Sequence, residues 1–179
     1  VMAVDPAYRN DSFGLSVGYR SDNDLIIDGV IKFEKDVGAQ SYILPSDIEK
    51  FVLEWIPKLN VEAFVYDVDL VLPLVEKLET EYGIRCIKHL AGEDAYSLWV
   101  NLNDGVGEYN AHIVYNEHLK REAEQLVKKE LPSGKIRYDH TYVSKKDISD
   151  TVANCLWYLA SNELSNIRLP VSYITTMRL

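Results

Sequence analysis

The chain has 179 residues, a net charge of −9 and an ordinary globular composition with 47% hydrophobic and 26% charged residues. This length fits one domain with its own hydrophobic core. No apolar run approaches the roughly 18 residues of a membrane span, and no basic and then apolar leader opens the sequence, so we expect a soluble protein without a membrane partner. The acidic balance argues against tight autonomous binding to nucleic acid, because Lys and Arg supply most of the affinity for phosphate backbones.

The first third of the chain predicts strands followed by a helix. Residues 1–5 have the pattern of a buried strand, and residues 13–20 and 24–34 predict an antiparallel hairpin around a polar turn. The segment SDIE that begins at Ser46 has the pattern of a capping box and predicts Ser46 as a helix N-cap. Apolar residues at helical spacing extend this helix to about Pro57.

The middle of the chain alternates between strand and helix patterns. The apolar run 61–67 predicts a buried strand, residues 71–82 predict a helix that ends at Gly83, and residues 83–90 predict another strand. Such a run is typical of a right-handed βαβ unit with parallel strands. Residues 91–110 are rich in Gly, Asp and Asn and predict a long loop, and loops of this length are usually functional or mobile. Two aromatic residues in this loop, Tyr96 and Trp99, are candidates for stacking on DNA bases.

The last part of the chain predicts two helices and a tail. A basic amphipathic helix is expected over about 116–130, a short strand over 135–139 and a final helix over about 147–160. Because the pattern after this helix is weak, we divide the chain into one mixed α/β domain, 1–161, and a tail of uncertain role, 162–179.

Acidic residues stand at the edges of three predicted elements that lie far apart in the sequence. Asp5 and Asp67 each end a predicted strand, and Asp147 and Asp150 share one face of the first turn of the last helix. Each is ordinary alone, since acidic residues also stabilise the first turn of a helix through its dipole. In an open α/β sheet, however, ligands bind at the carboxyl ends of parallel strands. The three clusters together predict a site for divalent cations.

Such a site would suit phosphodiester hydrolysis. Two divalent ions held by carboxylate oxygens can activate a water on one side of a phosphorus atom and stabilise the leaving oxygen on the other. We expect Asp5 to bridge both ions and the other clusters to complete one coordination shell each. Metal-dependent cleavage of a nucleic acid is therefore the leading hypothesis.

One segment of this acidic chain carries more basic than acidic residues. Residues 118–146 carry eight basic and four acidic side chains. A solvated helix face and a DNA-facing surface both account for this pattern, and its position just before the last acidic pair favours the second. The candidate DNA-binding residues are Lys120, Arg121, Lys128, Lys129, Lys145 and Lys146.

Four motifs carry a resemblance to a known family. VDPA near the start, YDVD followed by LVEKL in the middle, the NEHLKREAEQL helix and KKDISDTVANCLWYL near the end resemble the nuclease domain of viral terminase large subunits, of the tailed-phage or herpesvirus type. The resemblance covers about residues 2–160, and its most specific part is the Asp-x-x-Asp pair that opens a helix of small and apolar residues. It implies an RNase H-like (retroviral integrase-like) fold, in which helices flank a mixed central sheet.

The resemblance also implies roles for individual carboxylates. The implied catalytic metal ligands are Asp5, Asp67 and Asp147, with Asp150 as a further metal ligand and Asp11 and Asp69 as accessory residues. Two departures from the family pattern keep some of these choices open: the glycines usual after the middle Asp are missing, and Thr151 replaces the usual Ala. We favour Asp67 over Asp69, because it lies closer to the strand end, and Asp147 over Asp150 as the direct ligand.

The implied function is that of a metal-dependent endonuclease that cuts concatemeric double-stranded viral DNA with two Mg²⁺ or Mn²⁺ ions. The implied partners are this DNA, an ATPase motor domain whose Walker A motif does not occur in the sequence, the portal and the small terminase subunit. The implied location is inside the infected host cell, the bacterial cytoplasm for a phage. Two alternatives stay open: a non-catalytic docking module of a packaging motor, and another RNase H-like nuclease such as a junction resolvase.

Overall fold

The computed structural model describes residues 1–6, 13–33, 44–67, 69–134 and 136–161, and the fold is given for these residues. The strands are β1 (Met2–Asp5), β2 (Phe13–Ser21), β3 (Asp24–Phe33), β4 (Ala63–Tyr66), β5 (Arg85–Lys88), β6 (Asn110–Ile113), β7 (Leu126–Glu130) and β8 (Ile136–His140). The helices are α1 (Pro45–Leu59), α2 (Leu72–Glu81), α3 (Glu93–Asn103), α4 (Glu117–Glu124) and α5 (Asp147–Ser161), with a 3-10 turn at Asp69–Val71.

Six strands form one mixed sheet in the order β5-β4-β1-β2-β3-β6. The pairs β1–β2 and β2–β3 are antiparallel, whereas β1–β4, β4–β5 and β3–β6 are parallel. The expected hairpin and the expected parallel pair after it are therefore confirmed. Strands β7 and β8 form a separate antiparallel pair.

Each face of the large sheet packs against its own helices. Because side chains alternate along a strand, Ala3 and Val65 lie in a core with α3, α4 and α5, whereas Met2, Val4 and Phe64 lie in a second core with α1 and α2. Burial on both faces explains why β1 and β4 are continuous apolar runs in the sequence. Among the described residues, no helix is both long enough and apolar enough to span a membrane.

Small residues on β2 bring α5 unusually close to the sheet. A Cβ atom at Gly14 would lie 2.1 Å from the carbonyl oxygen of Asp147. One pleat further along, the Ser16 hydroxyl donates a hydrogen bond of 2.8 Å to the carbonyl oxygen of Thr151. Gly18 continues this row beneath the next turn of the helix. The backbone of α5 therefore lies directly on β2, starting at its first residue.

The predicted loop 91–110 is wrong over most of its length, since it contains helix α3. The buried residues Ala95, Tyr96, Trp99 and Leu102 follow helical spacing, and they pack in the same core as α5. The Gly, Asp and Asn residues that suggest a loop lie mostly at the two ends of this helix or on its exposed face. The polar composition thus conceals a short amphipathic helix.

Two further predictions on helices need correction. The basic helix expected over 116–130 ends at Glu124, and its second half is strand β7, because that segment pairs with β8 across a turn at 131–134. Helix α1 begins at Pro45 rather than after Ser46, since Pro favours the first helical position. Its N-cap is Leu44, whose backbone N–H donates to Asp47 Oδ2 at 3.3 Å.

Candidate metal centre

Two of the predicted carboxylates meet at the ends of parallel neighbouring strands. Val4 of β1 pairs in register with Tyr66 of β4, so the next residues along, Asp5 and Asp67, end these strands side by side. Alternation directs both towards the face covered by α5. Their side chains are hydrogen-bonded to each other. The strand ends thus form one wall of a site.

Helix α5 brings the other two carboxylates to the same place. The cross-strand partner of Asp5 on β2 is Gly14, and the first residue of α5, Asp147, lies directly over that glycine. Asp147 is buried, with 8% of its surface exposed. Asp150 lies one turn further along the same helix, and both interact electrostatically with Asp5. Four acidic residues from three elements therefore lie close enough to interact electrostatically.

The crowding changes the chemistry of Asp5. Burial raises its pKa from the ordinary value of 3.8 to about 9, and the charges of Asp67, Asp150 and Asp147 and the hydrogen bond with Asp67 act in the same direction. A divalent cation would reverse this effect by neutralising the repulsion. The donors are all carboxylate oxygens, which fit Mg²⁺ or Mn²⁺. In the described part of the chain, no three His, Cys, Asp or Glu side chains form a ready-made coordination shell.

A buried tyrosine holds Asp150. The hydroxyl of Tyr96 on α3 donates to Asp150 Oδ1 at 2.5 Å and also contacts Ser149 Oγ at 3.2 Å. Its ring, 1% exposed, stacks between Trp99 and Tyr138. Burial and the nearby Asp150 raise the pKa of Tyr96, which keeps the hydroxyl protonated as a donor. Because Tyr96 and Trp99 are both buried, the prediction that they stack on DNA bases is wrong.

Asp69, the alternative to Asp67 in the YDVD motif, contacts a different residue. Asp69 lies in the 3-10 turn after β4, with 65% of its side chain exposed, and forms an ion pair of 2.5 Å with Lys88 Nζ. Asp67, in contrast, raises the pKa of Asp5 through its charge and a hydrogen bond. The geometry therefore favours Asp67.

The predicted DNA-binding residues do not share one helix face. Lys120 and Arg121 lie on α4, where each forms an ion pair with an acidic residue one turn away. Lys128 and Lys129 extend from β7, and Lys129 pairs with Asp139 of β8 at 3.2 Å. The predictions that fall outside the described residues are Asp11, Lys145, Lys146 and the tail 162–179.

A fifth acidic residue lies at the start of α5, and it is not among the site residues predicted from the sequence. Glu122 of α4 is 4% exposed, and its Oε2 accepts hydrogen bonds from the backbone N–H groups of Ile148 at 3.0 Å and Ser149 at 2.8 Å. Its spacing of three residues from the buried Leu119 is the signal that could have placed it on the inner face of the helix.

The structure is similar to the large terminase nuclease from thermophilic phage G20c, with a TM-score of 0.59 and 12% identity over 90% of this chain and 81% of that chain. The same nuclease with bound magnesium gives a TM-score of 0.57 and 15% identity over 90% and 80% of the two chains. This chain has the large terminase nuclease fold. The expected mixed central sheet flanked by helices is thereby confirmed.

A third similar structure is the large terminase nuclease domain from bacteriophage SPP1 with bound manganese, at a TM-score of 0.49 and 15% identity over 87% of this chain and 82% of that chain. No protein-family model matches the sequence, and no curated protein matches it either. At identities of 12–15%, the similarity concerns the terminase nuclease fold, and the site has to be argued from the residues of this chain.

Proposed function

We propose that residues 1–161 form the metal-dependent endonuclease domain of a viral DNA-packaging terminase large subunit, which cleaves concatemeric double-stranded DNA. The observation that carries the proposal is the convergence of Asp5, Asp67, Asp147 and Asp150 at the carboxyl edge of a sheet with the terminase nuclease fold. One of the similar structures, the phage G20c nuclease, holds magnesium.

Each carboxylate has a distinct role in this proposal. Asp5 interacts with all three of the others, which supports it as a central metal ligand of the site. Asp67 completes the strand side of the site, and Asp147, with Asp150 beside it, completes the helix side. Two Mg²⁺ or Mn²⁺ ions, when bound, would supply an activated water and charge stabilisation at the phosphorus. Asp5 would have to give up its proton for such ions to bind, because its pKa is raised in the metal-free chain.

The proposed partners follow from the same assignment. They are concatemeric viral DNA, an ATPase motor domain, the portal and the small terminase subunit, inside the infected host cell and in the bacterial cytoplasm for a phage. A site of four carboxylates repels DNA, so cations must offset this charge. The exposed side chains of Lys128 and Lys129 on the hairpin support such a contact, and we propose Lys120, Arg121, Lys145 and Lys146 as further DNA contacts.

Plasmid cleavage with Mn²⁺ or Mg²⁺ tests the proposal. We expect the wild-type chain to cut, and Asp67→Asn and Asp147→Asn each to lose activity by a factor of about a hundred or more, since each removes a charge that the ions need. Asp104→Asn, an exposed Asp at the end of α3, is the matched control and should cut normally. Cleavage that survives both site substitutions would refute the assignment.

The same experiment separates the alternatives. The net charge of −9 is compatible with a non-catalytic docking module that binds DNA weakly. Absence of cleavage together with absence of metal binding in calorimetry would support that module. A preference for four-way junctions over linear duplexes would instead support a junction resolvase with the same carboxylate chemistry.

A further inference from the structure

The first turn of α5 lies between two charged groups on the same face of the sheet. Asp5, Gly14 and Lys32 are cross-strand partners in one row across β1, β2 and β3. Residues paired in this way point to the same side of a sheet. With strands about 4.8 Å apart, Asp5 and Lys32 lie roughly 10 Å apart, and Asp147 begins α5 above the glycine between them. The metal centre is on one side of this turn, and Lys32 is on the other.

Glu122 joins Lys32 to the helix. Its Oε1 lies 3.5 Å from Lys32 Nζ, and the side chain of Lys32 is 13% exposed. Its Oε2 accepts the two N–H bonds from Ile148 and Ser149. Backbone N–H groups in the first turn of a helix lack partners within the helix and are usually capped by a residue just before it. Here part of the cap comes from a different helix, α4.

Helix α4 is itself fixed to the sheet near Lys32. The side chain of Asn116, its N-cap, accepts a hydrogen bond from Leu119 N at 3.0 Å and donates one to the carbonyl oxygen of Val30 at 3.3 Å. Val30 and Lys32 are alternate residues of β3. The chain of contacts therefore runs from β3 through α4 to the start of α5.

Stability alone does not account for this arrangement. A buried ion pair is a weak source of stability, because desolvation offsets most of the attraction. Glu122 also repels Asp147. Hydrogen bonds to a charged acceptor are, however, shorter and more directional than neutral ones. Such bonds suit a contact that has to hold a helix end in one place.

We propose that Glu122, held by Lys32, is a positioning residue that fixes the first turn of α5 and so sets where Asp147 and Asp150 meet Asp5 and Asp67. The inference rests on the proposed metal-dependent function. Glu122 touches neither metal nor DNA in this account; it acts through the backbone of Ile148 and Ser149. Its removal leaves all four metal-binding carboxylates in the chain but lets the helix side of the site move.

Isothermal titration of Mn²⁺ into the wild type and variants tests the positioning role without relying on cleavage. We expect Glu122→Ala to weaken Mn²⁺ binding about tenfold or more, in the range seen for residues that orient metal ligands. Amide hydrogen exchange at residues 148–150 should become faster. Glu122→Gln keeps an oxygen acceptor for the two N–H groups but loses the charge that pairs with Lys32, so it should recover only part of the affinity lost in Glu122→Ala. Glu124→Gln makes the same change at an exposed site on the same helix and should have no effect.

The outcomes separate this inference from the proposed function. If Glu122→Ala binds Mn²⁺ as tightly as the wild type and only melts at a lower temperature, Glu122 has a structural role alone. That result would overturn the positioning role but leave the proposed function standing. A wild-type chain that binds no Mn²⁺ would overturn both. If Glu122→Ala does not fold, Lys32→Met serves instead: it leaves Glu122 without its cation and should weaken binding several-fold, and unchanged binding would contradict the positioning role.

Discussion

At the scale of single residues, Asp5 would connect metal binding to proton release in the proposed site. Its raised pKa of about 9 means that the metal-free site keeps a proton on this carboxyl near neutral pH. Hard divalent cations bind the carboxylate and not the acid, so the proton has to leave when an ion enters. The proposed site would therefore exchange a proton for metal ions, so we expect pH to act on both its metal affinity and the stability of the domain.

This exchange predicts how the stability of the metal-free domain depends on pH. Between the ordinary pKa of 3.8 and about 9, the folded chain holds a proton on Asp5 that the unfolded chain has lost. The contribution of Asp5 to the free energy of unfolding is therefore complete below pH 3.8. It decreases by up to about 1.4 kcal/mol per pH unit as the pH rises towards about 9. Asp5→Asn should remove this slope, so urea unfolding at pH 6–9 in EDTA should show a flatter profile than the wild type. Parallel profiles would contradict the prediction.

The hydroxyl of Tyr96 gives a second prediction at this scale. Tyr96→Phe keeps the stacked ring but removes the donor to Asp150 Oδ1. We expect unfolding to become easier by about 1 kcal/mol and Mn²⁺ affinity to fall a few-fold, because Asp150 loses the contact that orients it. Calorimetry measures both effects. Tyr115→Phe, at a tyrosine that is 73% exposed, should change neither, and a Tyr96→Phe variant that matches this control would leave Asp150 oriented by other contacts.

At the scale of elements, the row of small residues on β2 decides where α5 lies. Gly14→Ala would put a Cβ atom 2.1 Å from the carbonyl oxygen of Asp147, which is backbone and cannot rotate away. We expect a loss of about 1–3 kcal/mol in the free energy of unfolding, typical of overpacking, and a loss of Mn²⁺ affinity, because the first turn of α5 has to move. Chemical denaturation and calorimetry check this.

Gly29→Ala is the matched control for this substitution. Its added Cβ would meet the nearest atom, Val17 Cβ, at an ordinary 3.5 Å. The same chemical change in the same sheet should therefore cost little. Equal losses in the two variants would mean that contact with α5 is not the cause.

The sequence predicts the elements whose pattern is local and misses those that depend on a partner. Strands β1 and β4 and helix α5 follow from apolar runs and helical spacing, and so do the positions of Asp5, Asp67 and the α5 pair at their ends. Strand β7 has a helical composition and becomes a strand because β8 is available to pair with it. Glu122 and Tyr96 act across gaps between helices, and no local pattern reveals such contacts.

At the scale of the whole molecule, the proposed function requires an acidic chain to approach DNA, an acidic polymer. The net charge of −9 disfavours binding at long range. Exposed cations on the β7–β8 pair lie on the same side of the sheet as α5, since Tyr138 of β8 stacks on Tyr96. DNA binding should therefore depend on a few local cations more than on the overall charge.

Charge reversal tests this dependence. Lys128→Glu combined with Lys129→Glu should weaken duplex DNA binding in Ca²⁺ at least several-fold and lower the slope of log affinity against log salt by about one to two. Fluorescence anisotropy across a salt series measures both. The control reverses Lys50 and Lys58, which lie on α1 against the opposite face of the sheet, and changes the net charge equally. Equal weakening by the two pairs would indicate a bulk charge effect instead of a local contact.

The direct contact between the backbones of α5 and β2 also limits how the width of the carboxylate site can change. Where side chains separate a helix from a sheet, a site between them can adjust by changing rotamers. Here Gly14 and the carbonyl of Asp147 meet with nothing between them, so the width of the carboxylate site on this side is set by atomic radii and bond lengths. The distance between the two walls of such a site can therefore change only if the whole helix moves.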